Sequence, residues 1–405
     1  MSVIEAITMV AGMVYLVLLA WQVRTGWPGR LALGLLGLVW LLAADSLLWL
    51  ALGTVTAVLA LRHQRRPLPV FGAIDSQQLR AGTRHLLLLC WGLVTVQYSL
   101  HIWQLGQGMS PWLVRPDVVD AFLPIAGGLG LRAWFAQGLV DPHHPAATVT
   151  VLVLSLLALL LGRAFCAWFC PLGLVGEWLY GLRHRLLPGE WSPPRWLDLA
   201  LRTQKFLVLG FLLFIILLAV PAAALPGYFT SPYHQAADMK MGAFFFNLTL
   251  ISGLCLGWVL LLTATFRQGF CRYLCPYGAW MALLGLLTPL RIRRDPARCL
   301  RSLGHDCDKC SRACPSRIQV HQLIAVRSLE CTSCQSCVAA CPKRTDALHL
   351  GTRGLRLAPR QLLGLLCLLL LVLPLLAYGL LGIWVSQTPL ADRAHLLQLL
   401  PQLTH

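Results

Sequence analysis

The chain has 405 residues, 57% hydrophobic and only 12% charged, with a formal net charge of +17 and a mean hydropathy of +0.68. A soluble domain carries about 25% charged residues, so the composition excludes an ordinary water-soluble enzyme and points to an integral membrane protein. The basic excess lies between apolar runs, where Lys and Arg act as topology signals and not as a nucleic-acid footprint; no nucleic acid is expected as a partner.

A crossing needs roughly 20 apolar residues to traverse a hydrocarbon core about 30 Å thick. Such runs fall at about 3–22, 33–60, 86–106, 146–164, 206–226, 243–265 and 361–384. The expected fold is therefore an all-α polytopic membrane protein of about seven transmembrane helices. The first run opens "MSVIEAITMV" without a basic leader, so it reads as a retained span and not as a cleaved signal peptide. With the N-terminus in the cytoplasm, segments 62–85, 163–205 and 267–360 lie inside and hold 27 of the 33 Lys and Arg residues. That asymmetry predicts a multi-pass protein of a bacterial cytoplasmic (inner) membrane.

Along the chain, Asp45 stands within the second run, where a carboxylate costs a few kcal/mol and is a functional candidate. His85 and His101 mark the two ends of the third run; a haem would need a facing pair on another span, and none is evident. On the outer side, "DPHHP" offers Asp141, His143 and His144, and "SPYHQAAD" offers His234 and Asp238. Histidines of near-neutral pKa suit the proton release of quinol oxidation, so these residues are candidates for the rim of a quinol pocket, with solvated loop histidines as the plainer reading. Cys90, Cys255 and Cys367 stand alone in apolar runs and read as packing residues.

The remaining twelve cysteines are patterned. After the fourth run comes "FCAWFCPLG" with Cys166 and Cys170; after the sixth comes "FCRYLCPYG" with Cys271 and Cys275. Both read F-C-x-[WY]-x-C-P-x-G, 105 residues apart, each at the inner end of a span. Two parallel helix-pair repeats are expected, packed about an axis along the membrane normal. Residues i and i+4 share a helix face, so each motif would present two sulfurs on one side, and the proline would turn the chain at the ligand. Four facing thiolates suit an iron–sulfur cluster, a tetrahedral zinc or another soft metal; packing cysteines are the plainer alternative.

Between 291 and 360 leucine runs give way to Arg, Asp, Ser and Cys. "CTSCQSCVAACP" supplies Cys331, Cys334, Cys337 and Cys341 in the C-x2-C-x2-C-x3-C-P run of bacterial ferredoxins. Upstream, "CLRSLGHDCDKCSRACP" keeps Cys307, Cys310 and Cys314 but has Gly304 where a first cysteine would fall. Cys299, five residues earlier, can substitute if the loop folds back; a three-ligand site or a non-cysteine ligand is the alternative. In two-cluster ferredoxins the last cysteine of each run ligates the other cluster. One [4Fe–4S] cluster is thus expected on Cys331, Cys334, Cys337 and Cys314, and a second on Cys307, Cys310, Cys341 and Cys299. One short helix is expected in "PSRIQVHQLIAVRSLE" between them.

These residues resemble the membrane-bound polyferredoxins of the NapH, NosR C-terminal, YccM and CcoG group. "GRAFCAWFCPLG", "GFCRYLCPYG" and the ferredoxin runs carry the resemblance, which covers roughly 85–384. A further stretch, "VDAFLPIAGGLGL", is similar to a family segment of the form D-A-x-C-P-F-G-G, with Leu123 where some members have cysteine. The resemblance implies a cytoplasmic two-cluster ferredoxin-like insert and electron transfer between the quinone pool and a respiratory or maturation partner. Four regions are expected: 1–85, extra transmembrane helices and a basic loop; 86–290, a transmembrane core with both C-x3-C-P motifs; 291–360, the cytoplasmic ferredoxin-like domain; and 361–405, a last span and outer tail. Two function classes follow. One is an electron-transfer subunit, in enzyme terms a quinol dehydrogenase component, with a third cluster or another metal at Cys166, Cys170, Cys271 and Cys275. The other is a metal reductase or assembly factor for a respiratory enzyme, with copper on those sulfurs. A transporter fits less well, because charges inside the spans are scarce.

Overall fold

A computed structural model describes residues 76–402 apart from 190–192, 247–248 and 343–344. The first two expected spans and Asp45 lie outside the described residues. The chain divides into two compact units, residues 1–78 with 88–119, and residues 79–87 with 120–405.

Helix α1, Ser76–Gly106, gives residues 79–87 to the second unit and the rest, with the loop after it, to the first. Buried side chains hold that loop: Gln97 Nε2 donates to the Val114 carbonyl at 2.7 Å, and His101 Nδ1 to the Leu113 carbonyl at 2.8 Å. His101 is thus engaged by backbone of its own unit, while His85 Nδ1 lies 2.7 Å from the Ala81 carbonyl one turn earlier.

In the second unit, a 3₁₀ turn at Asp117–Phe122 leads into α2 (Pro124–Gln137) and α3 (Pro145–Leu161). Both helices open on proline at N1, where the missing N–H costs nothing, and close contact between them rests on small residues. A Cβ on Gly127 would lie 2.6 Å from the Ala147 carbonyl oxygen, and one on Gly130 2.1 Å from Thr148 Oγ1. Next come α4 (Ala164–Trp168), α5 (Pro171–Leu186) and α6 (Arg195–Phe214), which runs into a π-helical turn at Ile215–Ala219. There Arg132 Nη1 donates to the Ile216 and Val220 carbonyls, each at 2.7 Å, satisfying groups that the widened turn frees. Short helices α7 (Leu225–Phe229) and α8 (Pro232–Gln235) precede α9 (Ala237–Phe246), α10 (Leu250–Thr265), α11 (Gly269–Tyr273) and α12 (Pro276–Leu284).

The ferredoxin region follows: β1 (Arg291–Arg294), α13 (Lys309–Arg312), α14 (Ser336–Ala340), β2 (Leu348–Gly351) and β3 (Arg356–Leu357), then α15 (Pro359–Leu381) and α16 (Leu390–Leu399). The strands form an antiparallel sheet in the order β1–β2–β3, with Arg291 opposite Gly351 and Arg294 opposite Leu348. An all-α reading thus needs correction here: the alternating residues around Ile292 and Leu350 pair as strands. On the free edge of β1, the Arg294 N–H donates to the Ile324 carbonyl and the Val326 N–H to the Ile292 carbonyl. The link between the two cysteine runs is therefore a 3₁₀ turn at Val320–Gln322 and an extended piece, in place of the expected helix.

Among the described residues three helices are long and apolar enough to cross a membrane: Ser76–Gly106, Trp196–Ala219 and Pro359–Leu381. A fourth crossing results if Ala237–Phe245 and Leu250–Thr265, inclined at 73°, count as one. Helix α3 has 17 residues and is shorter. Large apolar side chains on these helices face outward, among them Phe211, Leu218, Leu250 and Leu380, as a lipid-facing surface requires. One hydrophobic core joins α3, α4 and α15 to the ferredoxin region: Leu157, Trp168, Ile292, Leu350 and Leu362 are all buried within it.

Candidate iron–sulfur and thiol sites

Helix α3 ends at Gly162, whose φ of 64° reverses the chain. Glycine enters this conformation without a Cβ penalty. The chain turns back through α4, and Cys170 takes an extended conformation (φ −67°, ψ 118°) before Pro171 opens α5. The second motif repeats this: α11 ends at Tyr273, Cys275 is extended (φ −64°, ψ 113°), and Pro276 opens α12. The expected pair of sulfurs on one helix face is therefore corrected. The helix breaks between the two cysteines, because a residue before proline is driven out of the α region. Each second cysteine instead stands at a helix N-terminus. The Gly278 N–H donates to Cys275 Sγ at 3.2 Å, and N–H groups of Leu172 and Gly173 serve Cys170 in the same way.

The two motifs come together. Burial pushes Cys170 up to about 12, with Cys166 and Cys275 adding repulsion. Cys275 rises to about 11, by burial first and then by Cys166; Cys271 is raised by burial and by the three other sulfurs. A bound cation would offset this mutual repulsion and displace the thiol protons. Cys166 Sγ is also 3.8 Å from the thioether of Met281.

Two buried arginines flank this group. A Cβ on Gly173 would lie 3.4 Å from the Arg84 guanidinium, and one on Gly278 3.2 Å from that of Arg163. The glycine closing each motif thus leaves room for an arginine. Arg84 pairs with Glu177 at 2.7 Å. Arg163 Nη1 donates to the Leu329 carbonyl at 2.5 Å, its Nη2 faces the Cys271 carbonyl at 3.4 Å, and Glu330 lies 3.9 Å away. Glu330 in turn accepts from Lys205 Nζ at 2.6 Å. Fully buried Trp168 reaches the Ser333 carbonyl with its indole N–H at 3.3 Å. The thiol group therefore abuts the loop that carries Cys331 and Cys334.

That loop lines the first of two cavities in the ferredoxin region. Cys314, Cys331, Cys334 and Cys337 surround it, together with Ile292, Val320 and Val326. The second is lined by Cys299, Cys307, Cys310 and Cys341, with Arg294, Lys309 and His321. The two are of similar size, so the irregular spacing around Gly304 does not shrink the second site. Left-handed backbone at Ser333 (φ 52°) and Gln335 (φ 58°) folds the C-x2-C turns tightly enough to aim several sulfurs inward. Burial raises Cys331 to about 12, with Cys334 and Cys314 adding to it. Cys299 behaves oppositely. Its burial is outweighed by Arg294 Nη1 at 3.6 Å and by backbone N–H groups, so its pKa is lowered and its thiolate favoured.

Among the described residues, no three His, Cys, Asp or Glu side chains close on a point as a single ion would require. Four cysteines around a cavity are a donor set for a cluster, in which each iron takes one thiolate. The donor set and the cavities fit [4Fe–4S] clusters.

The histidines and aspartates of the outer loops meet elsewhere, at the N-terminal end of α3. They are buried, not arranged as an open rim. His144 Nδ1 lies 3.2 Å from Asp120 Oδ1, and its Nε2 2.8 Å from the His234 carbonyl. His234 Nε2 lies 2.8 Å from Asp141 Oδ2. Asp120, Asp141, His144, His234 and Asp238 are each at most 2% exposed. Burial would raise Asp141, but hydrogen bonding to His234 and the charges of His234 and His144 outweigh it, so its carboxyl lies below the ordinary value. His143, half-buried, has its pKa lowered chiefly by burial and sits 2.8 Å from Thr388 Oγ1. Leu123 is buried with Ala126 and Ala147, as packing.

A 4Fe-4S binding domain family matches residues 144–189 and again 248–294, and a 4Fe-4S dicluster domain family matches 291–342. Over 293 residues the chain is 38% identical to the putative electron transport protein YccM of Escherichia coli (strain K12), covering 69% of this chain and 79% of that one. The chain belongs to the membrane-bound polyferredoxin family. It is also 26% identical to the ferredoxin-type protein NapH of Haemophilus influenzae, over 63% of this chain and 87% of the relative. The methylamine utilization ferredoxin-type protein MauN of Methylorubrum extorquens is 29% identical, over 55% and 74%. No solved structure matches. This polyferredoxin is thus a membrane-associated, 4Fe–4S-binding protein of electron-transfer type. Sequence reasoning missed Arg84, Arg163, Lys205, Trp168, Met281 and Glu330. Arg163 carried a faint signal as the arginine of "GRAFC", matched by Gln268 in the second motif.

Proposed function

We propose that the protein passes electrons between the quinone pool and a respiratory redox partner, through two [4Fe–4S] clusters and a third metal centre at the paired C-x3-C-P motifs. The observation that carries this is the division of eight cysteines into two cavities of four, beside a third group of four half-buried thiols. In this reading Cys314, Cys331, Cys334 and Cys337 hold one cluster, and Cys299, Cys307, Cys310 and Cys341 the other. Clusters bound there supply reversible one-electron storage. The chain's own residues do the rest. The N–H groups of Leu172, Gly173, Tyr277 and Gly278 stabilise thiolates at Cys170 and Cys275, and Ile292, Val320 and Val326 give the first cavity an apolar wall. Ferredoxin region, C-x3-C-P sulfurs and N-terminus face the cytoplasm of a bacterial inner membrane, as the basic segments support.

The test uses full-length protein purified without oxygen. Iron and sulfide analysis with EPR should find about twelve irons per chain, at four per cluster. A Cys166→Ser/Cys271→Ser variant should fall to about eight. Added to vesicles holding quinol, the oxidised protein should bleach in the visible, or added to vesicles holding quinone, the reduced protein should regain its colour; iron-free protein, or no exchange in either direction, overturns the reading. A second reading, a copper reductase or assembly factor, is favoured by the Met281 thioether beside Cys166, since thiolate and thioether donors select Cu(I). Stoichiometric Cu(I) displacing iron from these four cysteines alone would decide for it.

A further inference from the structure

The cations around the membrane thiols are the feature with no assigned role. Arg84 and Arg163 are both 3% exposed, but they are not equivalent. Arg84 has a carboxylate of its own in Glu177, at 2.7 Å. Arg163 shares Glu330, 3.9 Å away, with Lys205, which holds it more closely at 2.6 Å. The nearby carboxylate Asp198 is taken by Arg272, Arg202 and the Tyr273 hydroxyl. Arg163, Glu330 and Lys205 therefore form a dry group of net charge +1, since Lys205 is 0% and Glu330 6% exposed. Arg163 interacts electrostatically with Cys166, Cys271 and Cys275 on one side and with Cys331 on the other. Its guanidinium is fixed by one carbonyl from each side, those of Cys271 and Leu329.

We infer that Arg163, with Glu330 and Lys205, is an electrostatic junction that sets the reduction potentials of the C-x3-C-P centre and the Cys331 centre together. The inference rests on the reading of both as iron–sulfur centres. Reduction adds one negative charge to a centre. A buried cation nearby stabilises that reduced form, and net charge and hydrogen bonding are what tune such potentials. Because one cation faces both centres, it moves both potentials in the same direction. The second ferredoxin cavity has its own cations, Arg294 and Lys309, and lies outside this junction. Arg163 is thus a positioning residue: it touches backbone carbonyls and charges, and carries no electron itself.

The test is an EPR-monitored redox titration of the anaerobically purified full chain. Arg163→Gln should keep its iron and shift the Cys331-centre and C-x3-C-P signals to lower potential, leaving the signal of the Cys299/Cys307/Cys310/Cys341 centre in place. Arg163→Lys should stay near the parent potentials. Lys205→Met, which also removes one positive charge but stands behind Glu330, should shift the same two signals downward by less. Unchanged potentials in both neutral variants at full iron content overturn the inference. So does loss of iron in both, which would make Arg163 a structural clamp only. Parent protein without iron at these cysteines instead overturns the underlying reading.

Discussion

The two ends of α3 carry opposite chemistry, half-buried thiols at one and a fully buried imidazole–carboxylate group at the other. At its C-terminal end, four thiols sit between buried arginines. At its N-terminal end, imidazoles sit against carboxylates: His144 with Asp120 and His234 with Asp141. Both ends bury polar groups that would each cost several kcal/mol if left alone. The imidazole end pairs each ring with a carboxylate of the chain itself. At the thiol end the sulfurs repel one another and are driven toward protonation. Paired opposite charges fasten loops; a group of like thiols calls for a cation.

That contrast can be broken most directly with Cys334→Ser. It should remove about four irons per chain in an iron assay, while His234→Ala should remove none. The histidine variant should instead cost about 3–5 kcal/mol, the usual penalty for leaving a buried charge without its partner, seen as a lowered apparent Tm in detergent. Next, Gly130→Ala at the imidazole end places a Cβ 2.1 Å from Thr148 Oγ1. It should cost about 1–3 kcal/mol as overpacking without changing the EPR spectrum. Gly278→Ala at the thiol end, 3.2 Å from Arg163, should alter the spectrum while costing less stability. The smallest effect is in acid. Asp141 is depressed in the fold, so its contribution is full above the ordinary aspartate value of 3.8 and is lost as pH falls through the lower folded value. Asp141→Asn should flatten that acid limb of the stability curve; a parent curve already flat below pH 3.8 would contradict the pairing.

The thiol end was legible in the sequence because its chemistry is written in spacing. C-x2-C runs and a duplicated C-x3-C-P read the same in any fold, and the cavities group the cysteines that the crossed-ligand rule groups. Proline's effect on Cys170 and Cys275 was legible in part: it turns the chain, but between the sulfurs instead of after them. The imidazole end was not legible in the same way. "DPHHP" and "SPYHQAAD" look like solvated loops, and only tertiary packing buries them and brings Asp120 to His144. Arg163, Lys205 and Glu330 were missed for a related reason. In a chain with 33 basic residues, nothing local marks the few that turn inward. The strands at Ile292 and Leu350 are short, four residues each, below the length at which alternation stands out from a cysteine-rich loop.

The hydrophobic core shared by α3, α4, α15 and the ferredoxin strands has one more consequence. A ferredoxin carried on a tether would have to diffuse, collide and orient before each transfer, and salt or viscosity would slow it. Here the path from the paired motifs to the Cys331 loop runs through packed side chains and fixed carbonyls. Charge crossing it would meet no solvent and need no encounter, so that step would be indifferent to ionic strength, and only the hand-over to an outside partner would feel the medium.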